Sequence, residues 1–245
     1  MSARRLLWAH RYAEAIEESR RLIAIDPNDL SAVDTMASAF RALGKYKEAI
    51  PLYERIGACE QSDKRVLGRP GRQTDISCLY WCLGDHEKAI QLMHDMVEGV
   101  LDGSIQFGDA AGAVTQGLLL YYMGVTSHSN VETSFALNFM RNRARRSAIK
   151  SWPGQIALHY LGDMNFSDVL VAATGKRDLS EAVELSGVKL LSRRHLCRAL
   201  FHDGVGSRAQ GAEKHCVTRM HECYRLENPL IEQEWYMARY EVEGR

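Results

Sequence analysis

Histidine and cysteine crowd residues 195–223: His195 and Cys197, His202 beside Asp203, His215 beside Cys216, then His221-Glu222-Cys223. Imidazoles and thiols in such company raise two chemistries, a zinc site and a cysteine nucleophile with a histidine base. A zinc site asks for four convergent ligands, usually in close pairs such as C-x2-C or a helical H-E-x-x-H. The pairs here read H-x-C, H-C and H-x-C, and residues one or two apart on a helix point in different directions. His195 with His202, and Cys216 with Cys223, share a face seven residues apart, which gathers two ligands and not four. No nucleophile elbow or oxyanion loop accompanies the thiols, so neither a metal nor covalent catalysis is expected of the segment. An enzyme or metal-binding protein built on it stays the most remote alternative.

Two glycine stretches resemble phosphate loops. Gly204-Val205-Gly206-Ser207 follows a helical pattern and not a strand, and lacks the third glycine at the required spacing. Thr174-Gly175-Lys176 lacks the upstream glycine of a P-loop. Both read as turns, and no cofactor is expected. A third feature, RNRARRSAIK at 141–150, sets Arg141, Arg145 and Arg146 on one side of a helix with Arg143 and Lys150 nearby. Such a patch suits an acidic partner or phosphates. It has no interleaved aromatic residues, which argues against nucleic acid.

These groups must be carried by 245 residues of which 46% are hydrophobic, enough for a substantial core. Basic and acidic residues number 31 each, so no global field draws the chain to nucleic acid or anionic lipid. The longest apolar run, Gly117 to Gly124, is too short to cross a membrane, and the N-terminus does not read as a signal peptide. Six scattered cysteines without a disulfide-framework spacing suggest reduced thiols and a cytoplasmic location.

The positioning elements are written as a repeat. FRALGKYKEAI at 40–50 returns as YWCLGDHEKAI at 80–90, with fainter echoes at 119–126, 157–164 and 198–205. Taken as register marks, Gly44, Gly84, Gly124, Gly162 and Gly204 stand 40, 40, 38 and 42 residues apart, the period of a stacked helical array. Before each glycine the apolar residues follow helical spacing, and glycine then ends the helix in a left-handed conformation. A second amphipathic helix follows, with small Ala49 and Ala89 where two helices approach. Residues 57–75 and 102–113 read as loops.

RYAEAIEESRRLIAIDPND, FRALGKYKEAIPLYERI and YWCLGDHEKAIQLMHDM together resemble tetratricopeptide (TPR) repeats. Ala15 and Ala49 are 34 residues apart, and Pro27 lies twelve after Ala15. The resemblance covers about residues 5–100. It departs from the family pattern at Gln61, which stands where Pro27 does one unit earlier, and in the inserted Gly68-Arg69-Pro70-Gly71-Arg72. The last three units keep a glycine and lose the alanine. The fold implied is all-α: a TPR-like solenoid of stacked antiparallel helix pairs in one domain over 1–245. Clear repeats fill 1–100, degenerate ones 101–229, and a capping helix 230–242 exposes Glu232, Gln233 and Glu234.

By the same resemblance, the position three residues before each turn glycine faces a concave groove. Those positions are Arg41, Trp81, Tyr121, His159 and Phe201, and the next ones include Tyr122, Tyr160 and His202. A ladder of rings along the groove would anchor a protein or peptide. The expected function is therefore a non-catalytic binding module. A narrower alternative is a bacterial immunity or antitoxin protein that occludes a toxin or secreted effector. Self-association is left open.

Overall fold

The computed structural model describes residues 1–62, 72–107 and 112–244. Among the described residues the secondary structure is helical, with fourteen α-helices, one short 3₁₀ turn and no strand. The chain divides into two compact units, Met1–Leu92 and Met93–Arg245.

The first unit holds α1 (Ala3–Trp8), α2 (Tyr12–Ile25), α3 (Leu30–Ala42), α4 (Tyr46–Ser62), α5 (Gln73–Cys82) and the start of α6 (His86–Asp102). Successive helices pack as antiparallel neighbours. Ala15, Ala32, Val33, Ala37, Ala49, Tyr53, Ile56 and Leu79 form the core between them. The loop expected over 57–75 is shorter than the sequence suggested, because α4 continues through Gly57 to Ser62 and α5 begins at Gln73. The inserted Gly68, Arg69, Pro70 and Gly71 lie outside the described residues.

The second unit holds the rest of α6, α7 (Val114–Thr126), α8 (Asn130–Ala144), the 3₁₀ turn Ser147–Lys150, α9 (Gly154–Tyr160), α10 (Phe166–Thr174), α11 (Leu179–Val188), α12 (Leu190–Ala209), α13 (Glu213–Arg225) and α14 (Gln233–Glu243). Helices α7 and α8 pair closely, as do α12 and α13, and α12 also lies against α7, α10 and α11. Long α12 is the spine of this unit. Leu196, Cys197, Ala199, Leu200, Phe201 and Val205 on it are all buried.

Six helix ends share one geometry. The residues at His10, Gly44, Gly84, His128, Gly162 and Gly211 have φ between 56° and 84°. In each case that residue's N–H bonds to the carbonyl three back, and the next N–H reaches the carbonyl five back from itself, as in Lys45 to Phe40 and Asp85 to Tyr80. This is the Schellman stop, which satisfies orphan carbonyls at a helix end. Five residues after it stands a small side chain: Ala15, Ala49, Ala89, Thr133, Ser167 and Cys216.

Two of the expected register marks are therefore corrected. Gly124 and Gly204 lie inside α7 and α12, and the stops of those hairpins are His128 and Gly211. Both interior glycines are sites of close approach. A Cβ on Gly124 would lie 2.7 Å from the Thr133 backbone nitrogen, and one on Gly204 would lie 3.0 Å from Arg219 Cβ and 3.3 Å from the Cys216 carbonyl oxygen. In the true register the small residue persists through the second unit.

Candidate functional site

Most of the expected ladder is buried. Arg41, on α3, is buried, and its Nη1 donates to Asp75 Oδ1 on α5 at 2.8 Å, joining successive hairpins. Arg72 adds to this cluster, 3.1 Å from Asp34 and 3.8 Å from Asp75, and the Arg41 guanidinium lies over the buried Tyr53 ring. Trp81 is 0% exposed and stacks on His86 at 4.2 Å between ring centres, closing the α5–α6 hairpin.

In the second unit Tyr122 and Phe201 meet edge to face at 4.8 Å, both fully buried. Tyr121 packs on Tyr160 at 4.5 Å. The Tyr160 hydroxyl lies 2.9 Å from both His202 Nδ1 and the His202 carbonyl oxygen. Burial pushes the Tyr160 phenol well above its usual range and the His202 imidazole below its own. Trp81, Tyr121, Tyr122, Phe201 and His202 thus form no open ladder of rings. Trp81 is covered from within its own hairpin, while Tyr121, Tyr122, Phe201 and His202 meet side chains distant in sequence. His159 and Tyr160 remain half-buried, with His159 Nε2 4.0 Å from Asp203 Oδ1.

Much of the covering is done by the C-terminal segment. The helix expected as a cap is present, but its polar residues are turned inward: Glu232, Gln233 and Glu234 are all buried. Glu232 accepts from Arg194 Nε at 2.5 Å and from Arg198, while Glu234 lies 3.5 Å from Arg198 and 3.4 Å from His202 Nε2. One turn from its end, Glu241 takes both Arg208 nitrogens at 2.9 and 3.1 Å and the Tyr122 hydroxyl at 2.9 Å. Arg194, Arg198 and His202 recur every four residues along α12, so they share a face and meet the carboxylates of α14 together. That spacing was readable in the sequence. Its acidic counterpart, at the other end of a non-helical bend, was not.

Several of the histidines of 195–223 have partners within the fold. His195 Nδ1 lies 3.1 Å from the Ala173 carbonyl oxygen and its ring stacks on Trp152. His215 Nε2 lies 3.1 Å from Asp203, which also accepts from Arg219 Nε at 2.5 Å. Among the described residues no group of three histidine, cysteine, aspartate or glutamate side chains is placed to hold a metal, and no helix is long and apolar enough to cross a membrane.

The basic stretch separates into two parts. Arg143 turns inward over the Phe139 ring and donates to the Val100 carbonyl oxygen at 3.2 Å. Arg141, Arg145, Arg146 and Lys150 stay exposed. Arg141 is held by Asn138 at 2.8 Å, and none of the four has a carboxylate within ion-pair distance among the described residues.

The tetratricopeptide repeat family model matches residues 32–65, which take in almost all of the α3–α4 hairpin. Residues 32–65 thus carry a tetratricopeptide repeat. Ala37, Phe40, Gly44, Ala49 and Tyr53 supply the small and aromatic contacts of the matched repeat, and the stops at His10 and Gly84 flank it with hairpins of like geometry. No curated protein matches the sequence. Two solved structures are similar in arrangement. BtubC (BKLC) from P. vanneervenii, 14% identical, aligns over 92% of this chain and 91% of its own with a TM-score of 0.43. A tetratricopeptide repeat protein from Parabacteroides merdae, 10% identical, aligns over 97% and 96% with a TM-score of 0.45.

Proposed function

We propose that this tetratricopeptide-repeat chain is a protein-interaction module that holds a protein or peptide partner, with an acidic stretch of that partner seated on Arg141, Arg145, Arg146 and Lys150. The observation that carries this reading is the lack of carboxylate partners there. Many arginines elsewhere are paired, as in Arg11 with Glu14, Arg21 with Glu18, Arg193 with Glu227 and Arg239 with Glu243, and the strip stands out by gathering several exposed cations without such pairs in one short stretch. Part of the strip complements the C-terminal dipole of α8; Arg146 and Lys150 lie beyond that helix. Exposed guanidinium groups favour carboxylates through paired, directional hydrogen bonds. His159 and Tyr160, the ladder positions left half-buried, offer a second contact region. Arg41, Trp81, Tyr121, Tyr122, Phe201 and His202 act beneath the surface in this reading.

The test is a pull-down with the wild type and with Arg141→Glu/Arg145→Glu/Arg146→Glu, followed by binding of the recovered partner to purified protein. Loss of the partner by a variant with unchanged helicity supports the strip, as does weakening of wild-type binding with rising salt. Equal recovery by both proteins removes the strip from the account.

A further inference from the structure

Two thiols face each other inside the second unit. Cys197 on α12 and Cys223 on α13 bring their Sγ atoms to 3.4 Å, and neither residue is exposed. Cys223 Sγ is also 3.4 Å from the Cys197 carbonyl oxygen and 4.0 Å from that of Glu234, so α14 lies against Cys223. A disulfide needs about 2.05 Å between sulfurs, so closure asks for a movement of roughly 1.4 Å shared by two side chains on adjoining helices.

We infer that Cys197 and Cys223 are an oxidation site that takes a two-electron oxidant of the peroxide class and closes to a disulfide joining α12 to α13. One thiol sulfur attacks a peroxide oxygen, the O–O bond breaks, and the products are a sulfenic acid and one water. The second thiol sulfur then attacks the sulfenic sulfur, forms the S–S bond and releases the hydroxyl as a second water with the departing proton. Two thiols are oxidised by two electrons in all, and one hydrogen peroxide is reduced to two waters. Burial pushes the Cys197 thiol well above its ordinary range and so disfavours the reactive thiolate. The reaction therefore waits on transient opening of the α13–α14 packing, and it is slower than oxidation of exposed Cys59.

The test uses the full chain and hydrogen peroxide. Native protein is oxidised, residual thiols are alkylated, and the unreduced chain is digested with trypsin. Residues 195–198 joined to 220–225, released by dithiothreitol and missing from Cys197→Ser and Cys223→Ser, is the expected result. Two outcomes overturn the inference: both cysteines still alkylated as free thiols after Cys59 has been consumed, or a 197–223 link that forms only when the oxidant is applied in denaturant. Comparing native with denatured wild type keeps the test decisive even if a serine variant folds poorly.

Discussion

Alanine placed at three glycines probes three different reasons for having glycine. In α7, Gly124→Ala puts a Cβ 2.7 Å from the Thr133 backbone nitrogen, about 0.7 Å inside ordinary van der Waals contact. The obstacle is main chain, so α7 and α8 must separate. Forcing a packed interface apart costs roughly 2–3 kcal/mol, against which the better helix propensity of alanine returns about 1. The net loss is about 1–2 kcal/mol, a fall in Tm of about 3–6 °C for a chain of this size. At Gly84, φ is +83° and nothing lies within 4 Å, so Gly84→Ala meets no clash and carries the left-handed strain alone, roughly 1–2 kcal/mol. Gly187, in α11, has neither positive φ nor a neighbour within 4 Å, and Gly187→Ala should stabilise by about 0.5 kcal/mol. Thermal and urea denaturation of the three variants, with helicity followed by circular dichroism, measures all of this. If Gly124→Ala melts at or above the wild type, the argument that Gly124 exists for close approach is wrong.

Two other perturbations follow from the buried charges. Removal from water pushes the Glu234 carboxyl up, but Arg198 and then His202, whose Nε2 lies 3.4 Å away, outweigh it and hold it at about 2, below the ordinary 4.5. A depressed carboxylate stabilises above its unfolded value, so a contribution of order 3 kcal/mol is present above about pH 4.5 and is lost as pH falls toward 2. His202, held neutral by burial, acts in the same direction from about pH 6.5 downward, because the unfolded chain then binds the extra proton. Urea midpoints should show the stability gap between wild type and Glu234→Gln narrowing between pH 7 and 3; a constant gap refutes the assignment. Arg41→Met should cost roughly 2 kcal/mol by removing the 2.8 Å ion pair to Asp75 while Arg72 stays 3.8 Å away, and Arg41→Met/Asp75→Leu should recover part of that in a double-mutant cycle.

The helical repeat was legible because a Schellman stop needs positive φ and glycine provides it most cheaply, as at Gly44, Gly84 and Gly162. The same letter also serves close packing, and Gly124 and Gly204 could not be told from stops by spacing alone. The stops at His10 and His128 were hidden for the opposite reason. Histidine enters the left-handed region more readily than most residues and leaves no mark in a pattern of glycines. Tyr122 and His202 are met by α14, whose Glu241 reaches Tyr122 across 119 residues of sequence. Periodicity identifies a face of a helix, and it does not say what covers that face.

The small residue five places after each stop makes a hairpin's register a local property, settled within half a dozen residues. Successive stops stand 34, 40, 44, 34 and 49 residues apart, and that unevenness is harmless because the extra length falls outside the stop-to-small-residue ruler. Lengthening the chain can therefore change what a repeat displays without changing how it seats on its neighbour. A family built this way can diversify its surfaces by insertion, leaving five-residue rulers such as Gly44 to Ala49 and Gly211 to Cys216 untouched.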